Sequence, residues 1–333
     1  MKSQVEIKNY GPKLEKKHFD FATKMYGGRR KRRNSDYLYW KFRGKPDTEM
    51  HSLKLALIDG VVVGQLGLIP CKVNIGNEII DTQWACDLIV DLDYRGKGIA
   101  KLLYDAAHAQ KAITLGSDPS PSAEISMLRA GYKKLNSSNK QFIPLNLGLP
   151  LRMKGYPVKW LDQVTNPFLS RFKAKKLQRE FDELNIVEAD HTKIFQLDVK
   201  DQVYVERDSE FKNWRFRPFK DYYPGIKLYQ LVGTKTYFSG YYAGNIYFIT
   251  DFVLEEENHF NYIINHILRN IPESTERIRF QNNIHDKVLG SNLTTIKNRT
   301  ETSIIYYTQD DEIDELIKGK YFYYTHHDTD ENI

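Results

Sequence analysis

The chain has 333 residues, enough for about two domains. At 41% hydrophobic and 28% charged residues it has a globular make-up, which excludes a largely disordered chain. Lys plus Arg number 49 and Asp plus Glu 43, so the net charge of +6 is small and spread, which allows an anionic ligand and argues against nucleic acid as a partner.

Two cysteines, Cys71 and Cys86, are too few for a disulfide framework and have no zinc-type spacing, so no metal is expected. The first twenty residues lack an apolar signal core, and no run approaches the roughly 18 apolar residues of a membrane span. The expectation is a reducing, cytoplasmic compartment with no membrane contact.

In chain order, residues 1–39 suit opening helices. The run Arg29-Arg30-Lys31-Arg32-Arg33 reads as a solvated loop, an anionic-acceptor contact or a nucleic-acid contact. Ser35 to Arg43 reads SDYLYWKFR, and Ser209 to Arg217 reads SEFKNWRFR, so Ser, Trp, Phe and Arg recur in register. An apolar hairpin follows at 53–69, turning at Asp59-Gly60. Asn74 to Asn77 make a second turn, and Thr82 to Val90 a further strand. Apolar residues from Ile99 to Ala109 recur at helical spacing, and Ala112 to Leu115 make a short strand. A Ser-Pro loop at 118–122 opens a helix that ends at Gly131. Residues 160–184 are charged and helical in pattern, a connecting helix. Beyond them the first half repeats: strands begin at Lys227 and Thr236, and TDFVLEEE at 250–257 matches CDLIVDLD at 86–93 in character before a helix. We therefore expect a duplication, with domains at 1–150 and 191–325, a connector at 151–190 and a frayed tail at 326–333.

The segment most suggestive of chemistry is Asp87 to Leu103. An apolar strand enters a turn carrying Arg95, Gly96, Lys97 and Gly98, and a helix begins at once. Glycines let backbone N–H groups converge, the helix N-terminus adds unpaired donors, and two side chains add positive charge. Such a cradle suits a pyrophosphate. It is neither a Walker A loop nor a GxGxxG dinucleotide fingerprint.

Arg95-Gly96-Lys97-Gly98-Ile99-Ala100, with the lead-in Val90-Asp91-Leu92-Asp93-Tyr94, resembles motif A of the GNAT family of N-acyltransferases, with Leu92 at a usual proline. Ile113 to Tyr132 resembles that family's closing strand-helix-Gly-aromatic unit, so the likeness covers about residues 40–150. The resemblance implies an α/β fold with a mixed, largely antiparallel sheet, in tandem form, and an EC 2.3.1 acyltransferase. It implies acetyl-CoA as acyl donor, its pyrophosphate on residues 95–100 and its pantetheine arm in a gap beside Leu88, Ile89 and Val90. A backbone N–H there would hold the thioester oxygen. The acceptor would be the primary amine of a small metabolite, an amino sugar for example. The alternatives are a macromolecular amine on a protein lysine or modified nucleobase, or a CoA-binding module whose catalysis has decayed.

Asp87 is the candidate general base. The candidate acid is harder to name: Met127 occupies the family's tyrosine position and cannot donate a proton. Tyr132, named as the candidate acid, and Tyr104 both lack positional support, and His108 suits packing. In the second half, Glu255-Glu256-Glu257 stand where the cradle would be, so that copy is expected not to bind acyl-CoA.

Overall fold

The computed structural model describes residues 4–27, 34–137, 139–145, 148–153, 155–156, 185–191, 202–217, 226–272, 274–282, 296–326 and 328. The Arg29–Arg33 run and the connecting helix expected at 160–184 lie outside them.

The first half runs β1 (Glu6–Tyr10), α1 (Glu15–Tyr26), α2 (Ser35–Lys41), β2 (Met50–Ile58), β3 (Val61–Ile75), β4 (Glu78–Val90), α3 (Ile99–His108), β5 (Ile113–Ser117), α4 (Pro121–Arg129), β6 (Lys133–Ser137), β7 (Asn139–Pro144) and α5 (Gly148–Met153). The second half runs β8 (Ile186–Glu188), β9 (Gln202–Val205), α6 (Ser209–Phe216), β10 (Lys227–Leu231), β11 (Tyr237–Ala243), β12 (Ile246–Val253), α7 (His259–Asn270), β13 (Arg277–Asn282), β14 (Ile296–Glu301), β15 (Ile304–Tyr307), α8 (Asp311–Ile317) and β16 (Tyr321–Tyr323). Residues 6–10, expected among helices, form an edge strand paired with β2.

The strands build two sheets, a nine-stranded one ordered β1-β2-β3-β4-β5-β15-β6-β16-β9 and a seven-stranded one ordered β14-β7-β13-β12-β11-β10-β8. The halves exchange strands. β15 of the second half lies between β5 and β6, antiparallel to both. β7 of the first half lies between β13 and β14. β9 and β16 also join the first sheet, and β9 pairs back onto β3. Boundaries at 150 and 191 therefore do not divide the two sheets.

Alternation along β2 explains the layering. Leu53, Leu55 and Leu57 join one core with Phe21 of α1, Leu38 of α2 and Trp214 of α6. Ala56 and Ile58 join another with Leu103 of α3 and Met127 of α4. Helices α1 and α2 thus cover one face of the first sheet, and α3 and α4 the other. The two W-[KR]-F-R elements meet: the Trp40 and Trp214 rings are 6.2 Å apart, and Trp214 Nε1 donates to Trp40 O at 3.1 Å. Phe42, fully buried, packs directly onto the bare face of Gly67 in β3, where a methyl group would overlap the ring.

The expected frayed tail is corrected in part. His326 and Asp328 are buried. Asp328 accepts from Thr325 N at 2.7 Å and lies beside Arg207, a buried guanidinium also paired with Asp251 of β12. A buried cation needs such partners, and the tail supplies one of them.

Two buried imidazoles give a stability prediction. His18 of α1 and His108 of α3 are both held down to about 4 by desolvation. The unfolded chain binds these protons near pH 6.5 and the folded chain only near 4. Their contribution is complete above 6.5 and falls as pH drops towards 4. At that limit each ring removes on the order of 3 kcal/mol. Urea unfolding at pH 7.5 and 4.5 should show the loss. His108→Phe, which keeps the stack on Tyr307, should make the dependence shallower.

Candidate functional site

The site grows from an irregularity in β4. Against β3, Ile89 pairs with Gln65 and Cys86 with Gly67, so Asp87 and Leu88 together oppose Leu66. This is a β-bulge, which re-aims backbone and side chains. Asp87 sits there at φ +50°, a left-handed conformation that aspartate tolerates better than most residues. Its carboxylate Oδ2 accepts from Lys41 Nζ at 2.7 Å, and the Lys41 side chain is fully buried. Behind the bulge, Gln65 donates to Tyr26 Oη at 3.0 Å and to Asp87 O at 3.3 Å, while its Oε1 lies 2.9 Å from His18 Nε2. Residues of α1, α2 and β3 thus converge on one kink.

On the other side β4 runs parallel to β5, but only from Thr82–Ile113 to Trp84–Leu115. Beyond that pair the strands separate. A cavity of about 240 Å³ fills the wedge, walled by Ala85, Asp87 and Leu88 from β4, Gly116 from β5, Tyr104 from α3 and Met127 from α4. The β4 edge from Leu88 to Val90 follows this wedge outward.

At the outer end lies the turn. Gly96 and Gly98 both have φ +77°, and a methyl on either would meet no atom within 4 Å. Gly98 caps α3 with no side-chain hydrogen bond, so the first helical N–H groups of Ile99 and Ala100 face an open cradle. Lys97 Nζ lies 4.6 Å over the Tyr94 ring, and Arg95 Nε donates to Val90 O at 3.3 Å. Lys24 of α1 fixes the start of the turn, at 2.7 Å from Asp91 and 3.1 Å from Asp93. Its ammonium holds the Asp91 carboxyl below the usual carboxylate range.

The structure therefore brings Asp87, Leu88, Ile89 and Val90 together with Arg95, Gly96, Lys97, Gly98, Ile99 and Ala100 along one side of a wedge. It does not bring Tyr132 there. Tyr132 packs in the core against Tyr104, His108 and Tyr307. Burial pushes its phenol well up, so it is a poor acid. Tyr104 lines the wedge instead. Tyr104 falls outside the apolar stripe that the spacing of α3 marks, and nothing in the sequence says that it borders a gap. Lys41 was missed altogether, because 46 residues separate it from Asp87.

Among the described residues of the second half, the matching place shows no such wedge. Phe252 of β12, Phe260 of α7 and Phe280 of β13 pack edge-on or tilted with ring centroids 5.2 to 6.4 Å apart between the corresponding elements. At the start of α7, His259 Nδ1 lies 2.7 Å from Thr236 Oγ1, with Glu256 3.7 Å from its Nε2. Carboxylates stand where an anion cradle has cations. Among the described residues, no helix is long and apolar enough to cross a membrane.

A family model described as an acetyltransferase (GNAT) domain matches residues 12–112. No curated protein matches the sequence. Among solved structures, a GCN5-related N-acetyltransferase from Kribbella flavida superposes with TM-score 0.61 at 9% identity, covering 93% of this chain and 72% of its own. A GCN5-related N-acetyltransferase from Anabaena variabilis gives 0.57 at 12% identity, with 92% and 74% covered. Saccharomyces cerevisiae N-myristoyltransferase, solved with myristoyl-CoA, gives 0.55 at 11% identity, with 92% and 79% covered. The split of β4 from β5, the turn at 95–98 and these matches agree: the chain carries a GNAT acetyltransferase domain at residues 12–112, within the fold of the GNAT acyl-CoA N-acyltransferases.

Proposed function

We propose that this enzyme transfers an acetyl group from acetyl-CoA to the primary amine of a small metabolite, by direct attack in a ternary complex. The observation that carries the reading is the wedge between β4 and β5 with an open, doubly cationic turn at its mouth. The pyrophosphate binds the N–H groups and side chains of residues 95–100. The pantetheine arm runs inward along Leu88, Ile89 and Val90 and pairs with that edge like an added strand.

The amine lone pair attacks the thioester carbonyl carbon and forms the C–N bond. The oxygen takes up negative charge against a bulge N–H, then the C–S bond breaks and the electron pair leaves on sulfur. The nitrogen loses one proton, to Asp87 directly or through one water. Lys41 holds that carboxylate in place. Burial pushes the Tyr104 phenol up, so Tyr104 can donate a hydrogen bond to the leaving thiolate but does not give up its proton to it. A thiolate of ordinary thiol basicity then takes its proton from water. Two free cysteines fit a reducing, cytoplasmic setting for this chemistry.

The test is thiol release from acetyl-CoA with a panel of primary amines that includes amino sugars, polyamines and lysine peptides. Activity confined to small amines supports the reading, and activity on lysine peptides alone overturns the acceptor. With the best acceptor, Asp87→Asn should lower kcat by about 10²- to 10⁴-fold with CoA affinity little changed. Unchanged turnover at neutral pH would remove Asp87 as the base.

A further inference from the structure

The inner end of the wedge has a definite stop. The last hydrogen-bonded pair of β4 and β5 is Trp84–Leu115, so the apex lies between Ala85 and Gly116. Gly116 has no side chain, and Met127 of α4 fills the room this leaves: a methyl on Gly116 would come 2.6 Å from Met127 Cε. Met127 is 4% exposed and is anchored in the core that also holds Tyr104 and Leu66. Leu66, Tyr104 and Met127 thus cap the wedge from β3, α3 and α4. At the apex itself the backbones of β4 and β5 close at the Trp84–Leu115 pair, and on the opposite face of the sheet the Trp84 ring is buried against Phe322 and Tyr324.

We propose that Met127 sets the acyl-chain length this enzyme accepts. This rests on the donor reading given above. A thioester held at the Asp87–Leu88 bulge points its acyl group at the apex, onto the Met127 thioether. The cavity holds about 240 Å³. At roughly 30 Å³ per water-sized group, that is room for about eight such groups. The cysteamine end of the arm with an acetyl group takes about seven of them on the same scale. Each further methylene has to displace close-packed side chains, and interiors resist such overpacking. The wall at Met127 therefore favours a short acyl group such as acetyl over longer ones. Truncating Met127 to alanine removes three heavy atoms and frees about 90 Å³ on that scale, room for two or three more carbons.

The experiment measures the affinities of free CoA, acetyl-, propionyl-, butyryl- and hexanoyl-CoA by calorimetry, for the wild type and for Met127→Ala. No acceptor is needed. For the wild type we expect acetyl-CoA to bind at least tenfold tighter than hexanoyl-CoA, which lies within the range that a few methylenes command in a fitted apolar pocket. In Met127→Ala that ratio should shrink at least tenfold or invert, with free CoA within about twofold of wild type. Free CoA is also the control for folding. Met127→Phe, which fills the wedge, should weaken acetyl-CoA while leaving free CoA bound. Acyl preferences that stay parallel to wild type in both variants, with CoA still bound, would overturn the role of Met127 and leave the donor reading standing. A wild-type chain that binds no CoA at all would overturn both.

Discussion

A chain ending at residue 189 is expected not to fold its catalytic half and not to bind acyl-CoA. The reason is the strand exchange. β15 lies between β5 and β6, so truncation removes the strand that covers the far edge of β5, one wall of the wedge. Ile304, Ile305 and Tyr306 are buried there, and Phe322 and Tyr324 complete the core around Trp84. At about 1.5 to 3 kcal/mol for each fully buried side chain, these five contribute on the order of 10 kcal/mol. That is the size of a whole domain's net stability. The loss also reaches the loop beyond β5, where Asp118 N donates to Ser303 O at 2.8 Å and Ser303 N donates to Asp118 Oδ1 at 3.0 Å. One rescue is conceivable. β7, which the truncated chain keeps, loses its partners β13 and β14 and could turn back into the slot left by β15, the reverse of a domain swap. Circular dichroism and CoA titration of the truncated chain decide between these outcomes. A folded fragment with wild-type CoA affinity would show that β7 can replace β15 and that the second half is dispensable to the donor site.

The features legible in the sequence are the local ones. The Asp59-Gly60 and Gly76-Asn77 turns fix their hairpins through residues that tolerate positive φ, and all four residues have it. The turn at 95–98 was readable for the same reason, since two glycines between cations before a helix have few other uses. The recurrence of SDYLYWKFR as SEFKNWRFR is legible because both copies keep a Trp and a Phe that pack into the same core, Trp40 partly buried and Phe42, Trp214 and Phe216 buried. What could not be read is non-local. β7 (NKQFIP) and β15 (IIYY) are both short, and nothing within either says which sheet it will join. β1 is hard to tell from the helical region around it because its in/out alternation, Glu6 and Lys8 out with Ile7 half-buried, spans only five residues and is broken in polarity at Asn9. The polar tail suggested fraying, but the need of Arg207 for carboxylates draws Asp328 inside. The same limit applies at the site. Spacing along α4 leads to Met127, which cannot act as an acid, and gives no support to Tyr132 or Tyr104; the wall of the wedge is set by which face of α3 lies over the split, and that face presents Tyr104. Asp87 stands out in the sequence because it lies in a strand just before the turn; its partner Lys41 comes from a helix 46 residues away.

Replacing Gly98 with tryptophan should abolish measurable CoA binding while leaving a folded protein. Two effects separate here. Gly98 has φ +77°, so any L-side chain is strained there by about 1 to 2 kcal/mol. Gly98→Ala measures that strain alone, because its methyl group meets no protein atom within 4 Å. Its melting temperature should fall by a few degrees, and its CoA affinity should weaken modestly as the methyl enters the cradle. Tryptophan adds a ring in the space where the pyrophosphate meets the first N–H groups of α3. Losing two or so charge-assisted hydrogen bonds, at about 1.5 to 3 kcal/mol each, corresponds to at least a hundredfold loss of affinity. The charges supply the remainder. Arg95→Gln with Lys97→Gln keeps the glycine geometry and removes two cations from exposed positions. That double variant should bind CoA about tenfold more weakly in low salt and show a smaller salt dependence than wild type, since exposed charges are screened within about 10 Å at 0.1 M salt. Calorimetric titration at two ionic strengths, with thermal melts alongside, resolves all three variants. If Gly98→Trp melts like Gly98→Ala and still binds CoA as tightly, the diphosphate lies elsewhere and the wedge is not a donor channel. If it loses binding at an unchanged melting point relative to alanine, the open turn holds the diphosphate, and the direction of the arm, inward along β4 towards the bulge at Asp87, follows from the only end of the wedge at which the strands have parted.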